Sequence, residues 1–207
     1  MTSLQDHEIA EWFAASKPHP HENVCGDGYL VKNTERGVLF CVVDGLGHGK
    51  EAYAATERAL HTVTDHADDD LAFIMESCNT ALKQTRGAVV SLVLFDHLQS
   101  QISWVGVGNV EGVLLRPSEK REWLPLRSGI VGCRMPRLTV TSLPLTAGDL
   151  LVMYSDGVHN RAVENLQFYN SAQEIASGIM SDHLRHTDDA IVLVARYHGT
   201  QLREDCR

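Results

Sequence analysis

Four aspartates stand where hydrophobic runs stop or start: Asp27 in "CGDGYLV", Asp44 in "VVDGLGHG", Asp156 in "LLVMYSDGV", and Asp188, followed by Asp189, in "HTDDAIVLVAR". Asp44 and Asp156 each follow a predicted strand and precede a glycine, while Asp27 and Asp188 lie just ahead of predicted strands. Carboxylates at the ends of packed strands are rigidly aimed, and three or four converging on one point are the donors that hard divalent cations take. Two such ions within ~4 Å of each other clamp a phosphate and lower the pKa of a water between them. Taken singly, an Asp-Gly pair is more often a plain turn, and an Asp-Asp pair before a strand is a cap or a solvated edge. Repetition of the placement in four motifs reverses those odds.

The glycine-rich turn Asp44-Gly45-Leu46-Gly47-His48-Gly49 has two rival readings. A mononucleotide loop needs G-x-x-x-x-G-K-[ST]; here Gly45 to Gly49 is one residue too short and Lys50 is followed by Glu51. A dinucleotide fingerprint needs a glycine where Lys50 stands. An acid at the mouth of an anion-binding turn also repels phosphate unless a cation sits between them. His48 is a candidate phosphate or substrate contact, although a histidine in a glycine turn is as often only exposed. His19 and His21 in "KPHPHE" carry little weight as a metal pair, because Pro20 favours an extended segment whose alternate residues diverge.

Hydrophobic periodicity supplies the elements that must position these acids. Gly28 to Val31 and Gly37 to Val43 read as two strands about a polar turn, with Asp44 ending the second. Ala52, Ala55, Ala59 and Val63 recur at helical spacing, as do Leu71, Met75, Cys78 and Leu82. Small alanines on one face predict close packing on a sheet. Further strands are predicted over 88–95, 101–107, 112–116, 138–143 and 149–154, separated by Gly, Pro, Ser or Asp turns. Ser171 with Glu174 three residues on is a capping-box signal for a last helix, and Ala190 to Tyr197 makes a final buried strand. Strands in blocks, with helices between the blocks, predict an α+β layered sandwich with antiparallel sheets.

Composition bounds the rest. A chain of 207 residues, 43% hydrophobic and 22% charged, fits one well-cored domain. A formal charge of −9 without a basic cluster argues against a general nucleic-acid or anionic-membrane binder. The cysteines at 25, 41, 78, 133 and 206 are odd in number and lack a C-x-x-C pair, so neither a disulfide framework nor a zinc site is expected. No signal peptide or membrane-length apolar run is evident, and a cytoplasmic protein is the expectation.

"VVDGLGHG", "YSDGV" and "TDDAIVLV" in this order, behind "CGDGYLV", resemble the metal-dependent PPM serine/threonine protein phosphatases, in particular their SpoIIE-like bacterial branch. Arg86-Gly87-Ala88, "GVGNVEGVLL", "SGIVG" and "AGDLLVMYSDG" extend the likeness over roughly residues 24 to 197. The resemblance implies a four-layer αββα sandwich of two antiparallel sheets flanked by helices, in a single domain over 1–207 with a core from about 24 to 197. It implies two Mn2+ or Mg2+ ions, the second site weaker. Asp44 bridges both, the Gly45 carbonyl binds the second, Asp156 and Asp188 complete the first, and Asp27 acts on the second through water.

Asp189, at a position where many relatives have asparagine, is expected to orient Asp188. The implied activity is hydrolysis of phosphoserine or phosphothreonine by metal-activated water, with no covalent enzyme intermediate. Its implied partners are phosphorylated STAS-domain stressosome proteins, met by a monomer. Two departures stand out: residues 19–23 read His-Pro-His-Glu-Asn where relatives carry a phosphate-gripping arginine, and Gly26 stands where many have an acid. They leave open a catalytically silent module of the same fold that only binds a phosphoprotein.

Overall fold

The computed structural model describes residues 9–118, 120–164 and 166–199. Its strands are β1 (Ala10–Lys17), β2 (Asp27–Thr34), β3 (Gly37–Gly45), β4 (Ala88–Asp96), β5 (Gln101–Val107), β6 (Glu111–Leu115), β7 (Arg121–Trp123), β8 (Thr141–Pro144), β9 (Leu150–Tyr154) and β10 (Ala190–Tyr197). Helices α1 (Lys50–Asp65), α2 (Leu71–Leu82) and α3 (Ala172–Asp182) and a 3-10 turn at Asn160–Val163 complete the described elements. One sheet runs β1-β10-β9-β6-β7 and the other β2-β3-β4-β5-β8, and every paired strand in both is antiparallel.

The sheets face each other across a core in which Phe40, Val93, Phe95 and Trp104 of one meet Leu114, Leu151, Met153 and Leu193 of the other. Alternation then decides the outer layers, since successive strand residues point to opposite faces. Leu39, Cys41 and Val43 turn outward onto Ala55, Ala59, Ile74 and Cys78 of α1 and α2. Val152, Val192 and Val194 turn outward onto Ile175, Ala176 and Ile179 of α3. The result is the αββα sandwich. The alanine face brings α1 close enough that a Cβ on Gly45 would lie 2.3 Å from the Ala52 carbonyl oxygen.

Differences from the sequence expectation are local. The segment before residue 24, read as an extension, supplies β1, which pairs with β10 over eight residues from Ala10↔Tyr197 to Lys17↔Ala190. Only Ala10 of this strand is fully buried, so an edge position leaves no alternation to read. β3 does not end at Asp44 but continues to Gly45, which still pairs with Ala88. β8 covers only the last part of the predicted 138–143 strand, because Leu138 packs against the α1–α2 layer instead of joining the sheet. Cys25, Cys41, Cys78 and Cys133 are free thiols, and Cys206 lies outside the described residues. Among the described residues no helix is long and apolar enough to cross a membrane.

Candidate metal centre

Antiparallel pairing places the acids at one end of each sheet. Asp27, the first residue of β2, lies directly opposite Asp44 near the end of β3. In the facing sheet β9 pairs with β10 through Tyr154↔Val192, so Asp156 just after β9 and Asp188 just before β10 emerge side by side. The two ends meet through Ser155, whose hydroxyl donates to Asp27 Oδ2 at 2.6 Å while accepting from the Ile191 N–H at 3.1 Å. One hydroxyl thereby ties the β2–β3 end to the β9–β10 end.

Electrostatics registers this convergence. Burial pushes the Asp44 carboxyl up to about 9, and the charges of Asp27, Asp156, Asp188 and Asp189 add to the shift. Burial likewise raises Asp27 to about 7 against the opposing hydrogen bond from Ser155, with Asp189, Asp188 and Asp156 adding repulsion. Asp156 is raised by burial and by Asp188, while Arg185 and the Asn109 amide hold it down. Such shifts signal carboxylates short of positive charge.

Local geometry explains how each acid is held. Asn109 Nδ2 donates to Asp156 Oδ2 at 2.7 Å. The Asp188 Oδ1 accepts from the Asp189 N–H at 2.9 Å. Asp189 itself is buried; its Oδ1 accepts from the His19 N–H at 2.8 Å, and its Oδ2 has no partner. A Cβ on Gly26 would sit 2.7 Å from that Oδ2, so the space beside residue 26 belongs to Asp189. Asp189 therefore orients Asp188 as expected, through its backbone N–H, while its side chain holds the His19 segment.

Among the described residues no three His, Cys, Asp or Glu side chains are already gathered as a closed metal cage. Like charges at this separation repel, and the oxygens of Asp27, Asp156 and Asp188 each rest on a neighbouring donor instead. The donor set nevertheless fits a hard cation, being all oxygen and multiply anionic, and the unpartnered buried Asp189 Oδ2 beside it adds to the local shortage of positive charge. Burial and then the Asp27 charge push the nearby Cys25 thiol up to about 12, away from the thiolate form.

His48 projects from the glycine turn beside this cluster, and its ring is about half exposed. Its Nδ1 pairs with Glu22 Oε1 at 2.8 Å, and its ring stacks on that of His19 with centroids 4.4 Å apart. The sequence gives His19 little weight and does not single out Glu22, Asn109 or Ser155. Ser155 and Asn109 carry a faint signal as polar residues within "YSDG" and "GVGN", at ends of apolar runs; the Glu22 and His19 contacts join segments with no common sequence pattern. An open cleft of about 510 Å³, lined by Val89, Gly108, Asn109, Leu126, Ser128 and Gly129, adjoins Asp156 through Asn109.

Two face-to-face antiparallel sheets, helices on both outer faces, and acids converging at one end define the PPM phosphatase fold. Family comparison places the chain within that class: it belongs to the SpoIIE family, whose model, Stage II sporulation protein E, matches residues 34–198. The phosphoserine phosphatase RsbX of Bacillus subtilis (strain 168) is 24% identical over 198 residues, which is 95% of this chain and 99% of that protein. The crystal structure of RsbX in complex with magnesium superposes with a TM-score of 0.85 at 23% identity, covering 95% of this chain and 100% of that one.

A chain from "The bacterial stressosome: a modular system that has been adapted to control secondary messenger signaling" is 30% identical, with a TM-score of 0.83 over 90% of this chain and 99% of that chain. The catalytic domain of the serine threonine protein phosphatase PstP in complex with 2 manganese ions shares the fold, with a TM-score of 0.69 at 17% identity over 92% of this chain and 99% of that one.

Proposed function

We propose that this chain is a phosphoserine/phosphothreonine protein phosphatase dependent on Mn2+ or Mg2+, working in the cytoplasm on phosphorylated STAS-domain components of a stressosome. The observation that carries the reading is the meeting of four aspartates from two sheets, with the carboxyls of Asp44, Asp27 and Asp156 raised by burial and by neighbouring carboxylates. Membership of the SpoIIE family supports the chemistry, and the likeness to RsbX and to a stressosome chain supports the substrate class.

In this reading Asp44, the Gly45 carbonyl, Asp156 and Asp188 would hold the two ions, with Asp27 assisting at the second. Bound cations supply neutralising charge for the phosphate and water acidified enough to attack phosphorus near neutral pH. Asn109 fixes the rotamer of Asp156, and Ser155 does the same for Asp27. His48 meets the phosphate or the substrate chain at the rim. The cleft beside Asn109 accepts the residues flanking the phosphorylated one.

Purified protein with manganese, offered a phosphoserine peptide and a phosphorylated STAS-domain protein, tests the proposal. Release of phosphate from both is expected, faster from the protein. Release from neither overturns the activity, whereas release from the peptide with the STAS-domain phosphates left intact overturns the substrate class alone.

A further inference from the structure

The segment between β1 and β2 folds back across the glycine turn. Its path is fixed at three points. The His19 N–H donates to the buried Asp189 Oδ1 at 2.8 Å. The Glu22 N–H donates to the His19 carbonyl at 2.9 Å, closing a tight loop. The Glu22 carboxylate lies against Gly49, where backbone φ is +74° and an added Cβ would be 2.7 Å from Oε1. The left-handed backbone favours glycine at that position, and a side chain there would displace the Glu22 carboxylate.

This loop grips His48 from two directions. The His19 ring lies almost parallel to that of His48, with planes 13° apart, and Glu22 Oε1 meets His48 Nδ1 at 2.8 Å. Engagement of Nδ1 by a carboxylate leaves Nε2 as the ring nitrogen available to a ligand. A half-exposed side chain on a turn ordinarily samples several rotamers, and ordering it costs free energy at each binding event.

We infer that His19 and Glu22 form a clamp that presets the His48 ring at the rim of the acid cluster, so that both act as positioning residues for the contact between His48 and the substrate's phosphate. The inference rests on the proposed function and deepens it. The His-Pro-His-Glu segment thereby acquires a role, since it holds in place a ring that, when doubly protonated, offers its Nε2–H to a phosphate. Asp189, by holding the His19 backbone, anchors the clamp to the strand end that also bears Asp188.

Two variants of the full chain test the clamp: His19→Ala, which removes the stacked ring, and His19→Phe, which keeps an aromatic ring without its nitrogens. Turnover of a phosphoserine peptide is compared with titration of inorganic phosphate followed on the His48 ring resonance by NMR. His19→Ala is expected to raise KM and the phosphate Kd by about three- to tenfold, the cost of ordering one side chain, with kcat within about twofold. It should also shift the His48 resonance in the unliganded protein. His19→Phe should restore the binding constants to near wild type.

Unchanged KM and phosphate Kd in His19→Ala, or loss that His19→Phe fails to repair in a normally melting protein, overturns the clamp. A wild-type protein that turns over no phosphopeptide defeats the proposed function instead, and the phosphate titration then still decides whether His19 presets His48.

Discussion

Asp44 and Asp189 are both aspartates near the acid cluster, yet their surroundings separate them. Asp44 sits opposite Asp27 with its carboxyl raised to about 9, first by burial and then by four neighbouring acids. Between its ordinary value of 3.8 and about 9 the folded protein keeps a proton that the unfolded chain has released. Stability without metal therefore declines as pH rises through that window and levels off above it. Asp27, raised to about 7, adds to the decline over the lower part of the same range. Asp44→Asn should flatten the pH dependence of the metal-free melting temperature and leave that temperature equal or higher near pH 8. Saturating Mn2+ should raise the wild-type melting temperature increasingly toward high pH, where ligands lose their protons without cost, and should raise that of Asp44→Asn much less.

Asp189→Asn is expected to retain substantial activity, because an amide oxygen still accepts from the His19 N–H and the side chain keeps its volume. Thermal scans across pH with and without manganese, and phosphopeptide turnover, check both. The acids themselves are legible in sequence, since each stands at the edge of an apolar run. The partner of Asp189 is not, because the His19 contact spans 170 residues and involves a backbone N–H that no residue type advertises.

At the scale of elements, glycine positions discriminate between structure and freedom. A Cβ on Gly45 would fall 2.3 Å from the Ala52 carbonyl oxygen and 2.8 Å from its carbon, atoms of the first turn of α1 that cannot rotate away. Gly45→Ala should therefore push α1 off the end of β3, lowering stability by about 1–3 kcal/mol through overpacking and displacing Asp44 beside it. Gly178 inside α3 meets nothing within 4 Å, so Gly178→Ala should stabilise by about 0.5–1 kcal/mol and leave activity unchanged. Urea unfolding of the pair reads both signs.

The elements most legible beforehand are those with one buried face or an explicit cap. α2 is found over Leu71–Leu82 as its spacing implies, and Ser171 accepts from the Glu174 N–H in a complete capping box. β7, three residues long with only partial burial, offers too short a pattern to register. β1 lies at a sheet edge with intermediate burial along most of its length, and pairing with β10, distant in sequence, makes it a strand.

The whole molecule is a device for bringing two β-hairpin-like ends together. Neither sheet alone assembles the site: Asp27 and Asp44 come from one, Asp156 and Asp188 from the other, and the core of Phe40, Trp104, Leu151 and Leu193 fixes their separation. Sequence order makes the sandwich legible, because antiparallel strands in blocks with helices between them have few compact arrangements. It does not disclose that Ser155 bridges the two ends, which depends on how the sheets are stacked.

Ser155→Ala removes that bridge and leaves Asp27 Oδ2 without its donor, so turnover should fall about tenfold or more while the fold persists, checked by kinetics alongside circular dichroism. The metal-centred chemistry is tested most directly by manganese-dependent phosphate release from a phosphoserine protein, measured for wild type and Asp44→Asn in parallel. Wild type should turn over only with the metal, and Asp44→Asn should be slower by about 10³-fold, roughly 4 kcal/mol of transition-state stabilisation. An Asp44→Asn protein that releases phosphate at the wild-type rate would contradict a metal centre built on Asp44.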